Sequence, residues 1–191
     1  MASSYEMDFR RNWLSQLYAA LTAMMNDIDQ KLEDDDCYDG TDAREDAESI
    51  LGIAFIAAQT YIVGTVADIN AIHKISRQPL DKSEKLKPKD LLSLDVVSIA
   101  GEVSRTQLVY EIANYHKHHD EWEEWSVNDR NRQTIKVLNG CGIHKGTTHP
   151  CYEAAALLWP EEQLEKFGYL LNLLVDWRER VFREHGLEGN S

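Results

Sequence analysis

Apolar residues between positions 5 and 33 recur at intervals of three or four, which is the spacing of one face of an α-helix. We therefore predict a first helix over this range. The acidic segment 33–39, which has no helical period, then separates it from the next helix. The predicted buried stripe of the first helix consists of Phe9, Trp13, Leu17, Leu21, Met24, Ile28 and Leu32.

The second predicted helix is the longest and lies at the centre of the expected fold. Asp42 followed by Glu45 forms the pattern of a capping box at its start, and Gln78-Pro79 ends its apolar rhythm. About thirty-five helical residues would span roughly 50 Å. The middle, ILGIAFIAAQTYIVG, is apolar on nearly every side, so it should contact several helices or a dimer partner. The predicted core positions are Ala47, Ile50, Leu51, Ala54, Phe55, Ala58, Tyr61, Ile62, Val66 and Ile69.

Residues 79–90 form a Pro-flanked linker in which most of its charged side chains are lysines. We expect it to be a polar surface loop. A third helix is predicted over 90–122, with a break near Ser93–Asp95 left open, and it carries the polar segment 114–125 at its end. The predicted buried side of this helix consists of Val96, Ile99, Val103, Leu108 and Ile112.

Three shorter helices complete the predicted fold. The first begins at Asn128 or Asp129 and ends at Asn139-Gly140, where glycine favours a helix stop. Prolines suit the first turn of a helix, so Pro150 starts a helix that continues to Leu158, and Pro160 starts the last helix. That helix stops at His185-Gly186, and residues 184–191 form a tail. The chain 1–191 is thus predicted to be one all-α domain, a bundle of five or six helices.

The net charge of −13 makes broad binding to DNA or RNA backbones unfavourable, because such binding needs clustered Lys and Arg. No run of eighteen uninterrupted apolar residues occurs, which predicts no membrane span. The first residues lack the basic start and apolar core of a signal peptide. The three cysteines, an odd number, are therefore expected to be reduced thiols in the cytoplasm.

The segment NYHKHHDEWEEW, residues 114–125, holds the densest group of chemically active side chains. His116, His119 and Asp120 are spaced i, i+3 and i+4 on the predicted helix, so all three can share one face and bind zinc or ferrous iron. The alternative is a polar helix end, where the helix dipole favours histidines. The buried faces offer few further carboxylates, so we expect no cofactor, with zinc as the alternative.

Two other patterns could hold a metal. Cys141-x-x-His144 and His149-x-Cys151 supply four zinc ligands, but only four residues separate the pairs, and a loop with a helix cap is the alternative. Glu45 and Glu48 resemble half of the E-x-x-E pattern of MazG-type pyrophosphohydrolases. The second acidic pair of that family is absent from residues 61–77, so a metal-dependent hydrolase is the less favoured hypothesis.

The phrase EIANYHKHHDEW and the order of the helices resemble HEPN-like proteins of prokaryotic defence and toxin–antitoxin loci. The resemblance implies a small all-α bundle that dimerises through its main helices. Some members are metal-independent ribonucleases, and others are inactive binding or antitoxin proteins. In a ribonuclease, His118 would act as acid or base on an RNA 2′-hydroxyl, while Asn114 and Lys117 would position phosphate.

The family's ribonuclease signature, Arg followed after four to six residues by His, is missing at the matching place. Arg105 lies eleven residues before His116, and the formal match at Arg180 and His185 is attributed to chance. Nearby acids at 120–124 also repel phosphate. We therefore predict a homodimeric binding or accessory protein of a bacterial defence or mobile-element locus, with a protein or an RNA as partner. The aromatic residues Tyr115, Trp122 and Trp125 are its candidate binding residues, or else they close the core.

Overall fold

The computed structural model describes residues 8–75, 85–121, 125, 131–159 and 166–187. This part of the chain is all-α, as predicted, with seven helices and one two-stranded antiparallel sheet. The helix that the prediction lacks is the third along the chain, a single turn at Pro88–Leu91 that overlaps the end of the predicted linker. The elements are α1 (Phe9–Asp34), α2 (Gly40–Ile75), α3 (Pro88–Leu91), β1 (Ser98–Ala100), β2 (Val103–Ser104), α4 (Arg105–His118), α5 (Arg132–Gly140), α6 (Pro150–Leu158) and α7 (Gly168–Glu184), with 3-10 turns at Leu92–Leu94 and His119–Glu121.

Helix α1 starts at the N-cap Asp8, whose carboxylate accepts a hydrogen bond from the backbone N–H of Arg11 at 3.1 Å. Its buried residues are Leu14, Tyr18, Leu21, Met25 and Ile28. The predicted stripe is therefore wrong in part: Leu21 and Ile28 are buried, but Phe9, Trp13, Met24 and Leu32 are exposed. The helix carries two apolar stripes, and the one that is buried against the other helices is not the predicted one.

Helix α2 is the central helix and contacts α1, α4, α6 and α7. Every core position predicted for it is buried. The predicted cap is displaced by three residues: Asp39 accepts from the N–H groups of Thr41 and Asp42, and Asp42 accepts from the N–H of Asp39. Among the described residues, α2 alone is long and apolar enough to cross a membrane, and 72% of its most apolar window is buried inside the fold.

The possible break near Ser93–Asp95 is confirmed, but the predicted helix over 90–122 is otherwise wrong in its first half, which contains a 3-10 turn and the hairpin of β1 and β2. The side chain of Asp95, almost fully buried, holds this segment on the start of α4. It accepts from the N–H and hydroxyl of Thr106, both at 3.1 Å, and forms an ion pair with Arg105. Burial alone would raise the pKa of Asp95, but these hydrogen bonds and the Arg105 guanidinium hold it below its usual value. Val96, predicted to be buried, is exposed beside this anchor.

Helix α6 has its predicted bounds, but the predicted last helix is wrong at its start, because Lys166 and Phe167 are not helical and α7 begins at Gly168. Helix α6 runs from Pro150 to Leu158, and α7 ends at Glu184 before Gly186, which adopts a positive φ of 63°. The predicted starts at Asn128, Asp129 and Pro160, and the linker residues before position 85, lie outside the described residues.

A buried polar cluster joins α1, α2 and α7. The guanidinium of Arg178 donates to Thr65 at 3.1 Å and forms ion pairs with Asp68 at 3.0 Å and Asp8 at 3.5 Å. The hydroxyl of Tyr61 also donates to Asp8. Because these partners satisfy the buried charge, Arg178 serves the packing of three helices.

Candidate functional site

The last turns of α4 carry most of the candidate residues, and α2 and α6 lie on either side of them. Ser104 caps α4 by accepting from the N–H of Gln107 at 3.2 Å, which fixes the start of the helix. Successive side chains on a helix point about 100° apart. The segment that begins at Asn114 therefore places some side chains against α2, some near α6 and others, such as His118, toward solvent.

The group facing α2 is organised by Gln59, a buried residue whose role the sequence did not reveal. Its side-chain amide donates to the oxygen of Asn114 at 2.7 Å and to the backbone oxygen of Tyr110 at 2.9 Å. The ammonium group of Lys117 donates to the Gln59 oxygen at 2.5 Å. Burial lowers the pKa of Lys117, although the nearby Glu111 carboxylate opposes part of this effect.

Glu111 extends this network toward α5. Its carboxylate accepts from the amide nitrogen of Asn114 at 3.1 Å and from the hydroxyl of Thr134 at 2.6 Å. Glu111 and Thr134 are both buried, so each hydrogen bond offsets the cost of removing a polar group from water. Both ends of the Asn114 amide are thereby engaged within the fold.

The structure brings Asn114 and Lys117 together through Gln59, whereas His118 makes its contact elsewhere. The imidazole of His118 pairs with Glu121 at 3.3 Å, and both side chains are well exposed. Asn114 and His118, although i and i+4, share no hydrogen bond among the described residues. A phosphate at His118 would also meet the charge of Glu121.

The residues of the predicted metal site lie close together, but their ring nitrogens and carboxylate do not converge on one point. Nδ1 of His116 lies 3.7 Å from Sγ of Cys151, while Nδ1 of His119 lies 3.1 Å from the backbone oxygen of His116. Nε2 of His119 lies 3.1 Å from the Asp120 carboxylate, which is almost fully exposed. Within the described ranges, no three His, Cys, Asp or Glu side chains are arranged to hold a metal ion. The loop pattern is likewise divided, because His144 contacts Asn139 and Cys151 contacts His116.

The candidate binding aromatics form a small stack at the end of α4. The ring of Tyr115 stacks on His119, with centroids 5.1 Å apart, and meets Trp125 at 5.5 Å. Trp122 lies outside the described residues. Both Tyr115 and Trp125 are partly buried against the core, which is the arrangement expected of residues that close a bundle.

On the α6 side, Glu48 caps the helix. Its two carboxylate oxygens accept from the backbone N–H groups of Cys151 and Tyr152, both at 2.8 Å. These are two of the donors that a helix start leaves unsatisfied, and a carboxylate there also interacts favourably with the helix dipole. The sequence signal was indirect: Pro150 marks a helix start, yet the preceding His149 makes no capping hydrogen bond.

The contact between Cys151 and His116 has the elements of a thiol–imidazole pair but not its charge state. Burial, together with the Glu48 carboxylate, raises the pKa of the Cys151 thiol well above its usual value. Burial lowers the pKa of His116. Both shifts favour the neutral thiol and the neutral imidazole, whereas nucleophilic catalysis needs the thiolate.

A separate feature is the solvent-facing side of α1 and α2, where large apolar side chains are exposed. The most exposed on α1 are Phe9 at 83%, Trp13 at 53% and Met24 at 47%, and on α2 Ile53 and Val63 are each 46% exposed. Leu17 and Ile56 are half-buried between them. We call these seven residues the α1–α2 face.

The two exposed stripes lie on the same side of the helix pair. Arg10, which borders the stripe on α1, packs on Gly64, which borders the stripe on α2, and forms an ion pair with Asp68 at 2.6 Å. At the other edge of the contact, the Tyr18 hydroxyl donates to the backbone oxygen of Ala54. The helices are therefore antiparallel, and their apolar stripes run side by side, with the partly exposed Arg10 between them where it packs on Gly64. Large contiguous apolar patches on monomeric proteins often mark binding sites, so this side of the helix pair is a candidate binding surface.

Comparisons with family models, with curated proteins and with solved structures find no match to this chain.

Proposed function

We propose that the protein is a non-catalytic binding protein that acts as a homodimer, with the α1–α2 face as its dimer interface. The single observation that carries the proposal is the set of large apolar side chains exposed on one side of the helix pair, Phe9, Trp13 and Met24 on α1 with Ile53 and Val63 on α2. Covering such a surface removes apolar area from water, which is the main driving force of association. The proposal agrees with the dimeric, inactive members of the HEPN-like class that the sequence resembles.

The polar residues of α4 support a binding role over chemistry. Asn114 and Lys117 are engaged by Gln59 and Glu111, so their hydrogen bonds serve the packing of α4 on its neighbours. His118 faces an exposed glutamate. With a net charge of −13, the molecule also repels RNA, so a protein is the partner that its surface fits better.

The test is the oligomeric state of the purified protein and of two matched variants, measured by light scattering coupled to size-exclusion chromatography. Val63→Asp places a charge in the α1–α2 face and should give a monomer. Leu157→Asp is the control, because Leu157 is exposed to a similar degree, 43%, on α6. It should leave the protein dimeric. A parent protein that is monomeric at tens of micromolar, or equal behaviour of both variants, would overturn the proposal.

A further inference from the structure

We infer that the two copies pair through antiparallel α2 helices, with a two-fold axis at Thr60 and with Glu45 of each copy opposite Lys74 of the other. The inference rests on the proposed function, since it assigns the geometry of the same interface. It is carried by the order of exposed residues along α2.

The exposed line on α2 has the spacing of a helix–helix seam. Its members Ile53, Ile56, Thr60, Val63 and Ala67 follow at intervals of three, four, three and four, and each is exposed or half-buried. Alternation of three and four is the pattern by which one helix accepts the side chains of another between its own. A second helix is therefore the occupant that this line fits.

The line is nearly symmetric about Thr60, which is a condition for a two-fold contact between identical helices. Ile53 and Ala67 lie seven residues before and after Thr60, and Ile56 and Val63 lie four before and three after. In an antiparallel pair, Ile53 of one copy faces Ala67 of the other. A large side chain thereby meets a small one at both ends, and Thr60 meets itself at the axis.

Charges at the two ends of the line select the antiparallel direction. Glu45 lies fifteen residues before Thr60 and Lys74 lies fourteen after it, and both are exposed on the same line of the helix. An antiparallel copy places each Glu45 opposite a Lys74. A parallel copy would place Glu45 against Glu45 and Lys74 against Lys74, which is unfavourable.

The size of the surface suits a stable dimer, and α1 completes it. From Glu45 to Lys74 the helix rises roughly 45 Å, and two neighbouring helices are roughly 20 Å wide, so the footprint is about 900 Å² per copy against the usual ~800 Å². Because Arg10 packs on Gly64, Phe9 and Trp13 lie near the part of α2 that carries Thr60 and Val63. They can therefore widen the contact with the second copy beyond α2.

Cysteine cross-linking tests the axis. In a background with Cys37→Ser and Cys141→Ser, Thr60→Cys should form a disulfide-linked dimer under mild oxidation. Ala67→Cys is the matched control. In an antiparallel dimer the two copies of position 67 lie roughly 20 Å apart, too far for a disulfide, whereas in a parallel dimer positions 60 and 67 would each face their own copy. Equal cross-linking at the two positions overturns the inference.

Exchanging the charges of Glu45 and Lys74 tests the predicted contacts at the two ends of the α2 pair. Glu45→Lys or Lys74→Glu alone should weaken dimerisation roughly ten-fold at low salt, because each change turns two attractive contacts into repulsive ones. The double variant should return the dissociation constant to within about two-fold of the parent value. If the double variant dimerises no better than the single variants, this geometry is overturned and the proposed function stands. A monomeric parent protein overturns both.

Discussion

At the scale of single residues, Gly52 shows how closely α2 and α4 approach one another. A Cβ added at this position would lie 2.2 Å from the imidazole of His116, which is far inside van der Waals contact. Glycine is otherwise an unfavourable choice in the middle of a helix. The close approach of the ring therefore explains why a glycine is tolerated at the centre of the longest helix.

We predict that Gly52→Ala lowers the free energy of unfolding by about 1–3 kcal/mol, because the methyl group must displace the His116 ring from a packed site. The measurement is urea unfolding followed by circular dichroism. Gly168→Ala, at a helical glycine with no neighbour within 4 Å, is the control and should change stability by less than about 0.5 kcal/mol. In a His116→Ala background the cost of Gly52→Ala should disappear. A stabilising Gly52→Ala in the parent protein would contradict this account.

At the scale of elements, the ends of α2 and α7 meet through two histidines. Nε2 of His73 lies 3.4 Å from Nδ1 of His185, and the rings are arranged edge to face. Burial lowers the pKa of His185, and the neighbouring His73 lowers it further. The fold therefore favours the neutral form of this imidazole.

A stability dependence on pH follows from this shift. The unfolded chain takes up a proton at the usual histidine pKa of about 6.5, whereas the folded chain does so only at lower pH. His185 therefore does not lower the free energy of unfolding above that pH. The free energy decreases as the pH falls from there toward the lower pKa of the folded chain. Urea unfolding at pH 7.5 and 5.5 should show a lower free energy at 5.5.

Replacement of His185 separates this contribution from the others. His185→Asn should reduce the difference in unfolding free energy between the two pH values, and His116, whose pKa burial also lowers, accounts for part of the remainder. The control His144→Asn changes an exposed loop histidine. If both variants retain the full difference, the paired histidines do not contribute.

The elements also show which features a sequence can predict. The core of α2 was predictable because its apolar positions leave few alternatives for burial. In α1, two apolar stripes about 100° apart, one through Trp13 and one through Leu14, have the same period. Only the neighbouring helices decide which stripe is buried. The hairpin of β1 and β2 is too short to show the two-residue period of a strand.

The position of the candidate residues along a helix was predictable, but their connections were not. The segment beginning at Asn114 starts in the last turns of α4, as the spacing predicts, and α4 contacts α2 and α6. Its partner Gln59 is more than fifty residues distant along the chain, and Glu48 is more than one hundred residues distant from Tyr152, whose N–H it accepts from. Helical spacing informs only on contacts within one helix. The capping of α6 by Glu48 and the link from Lys117 to Gln59 therefore required the tertiary structure.

At the scale of the whole molecule, charge and apolar surface act in opposite directions on association. A net charge of −13 makes two copies repel one another. The α1–α2 face carries apolar side chains over most of its length, with acidic residues at one end and Lys74 at the other. Added salt weakens the overall repulsion, and it also screens the exposed contacts of Glu45 with Lys74.

This balance leads to a prediction about stability and concentration. If folding and dimerisation are linked, only the folded state gains from association, so the urea midpoint must rise with protein concentration. Between about 1 and 100 μM the gain approaches ~2.7 kcal/mol per dimer. Val63→Asp should remove the dependence, while Leu157→Asp should keep it. A midpoint of the parent protein that is independent of concentration would show that the α1–α2 face is not covered by a second copy, because an interface of this size cannot form without stabilising the folded chain.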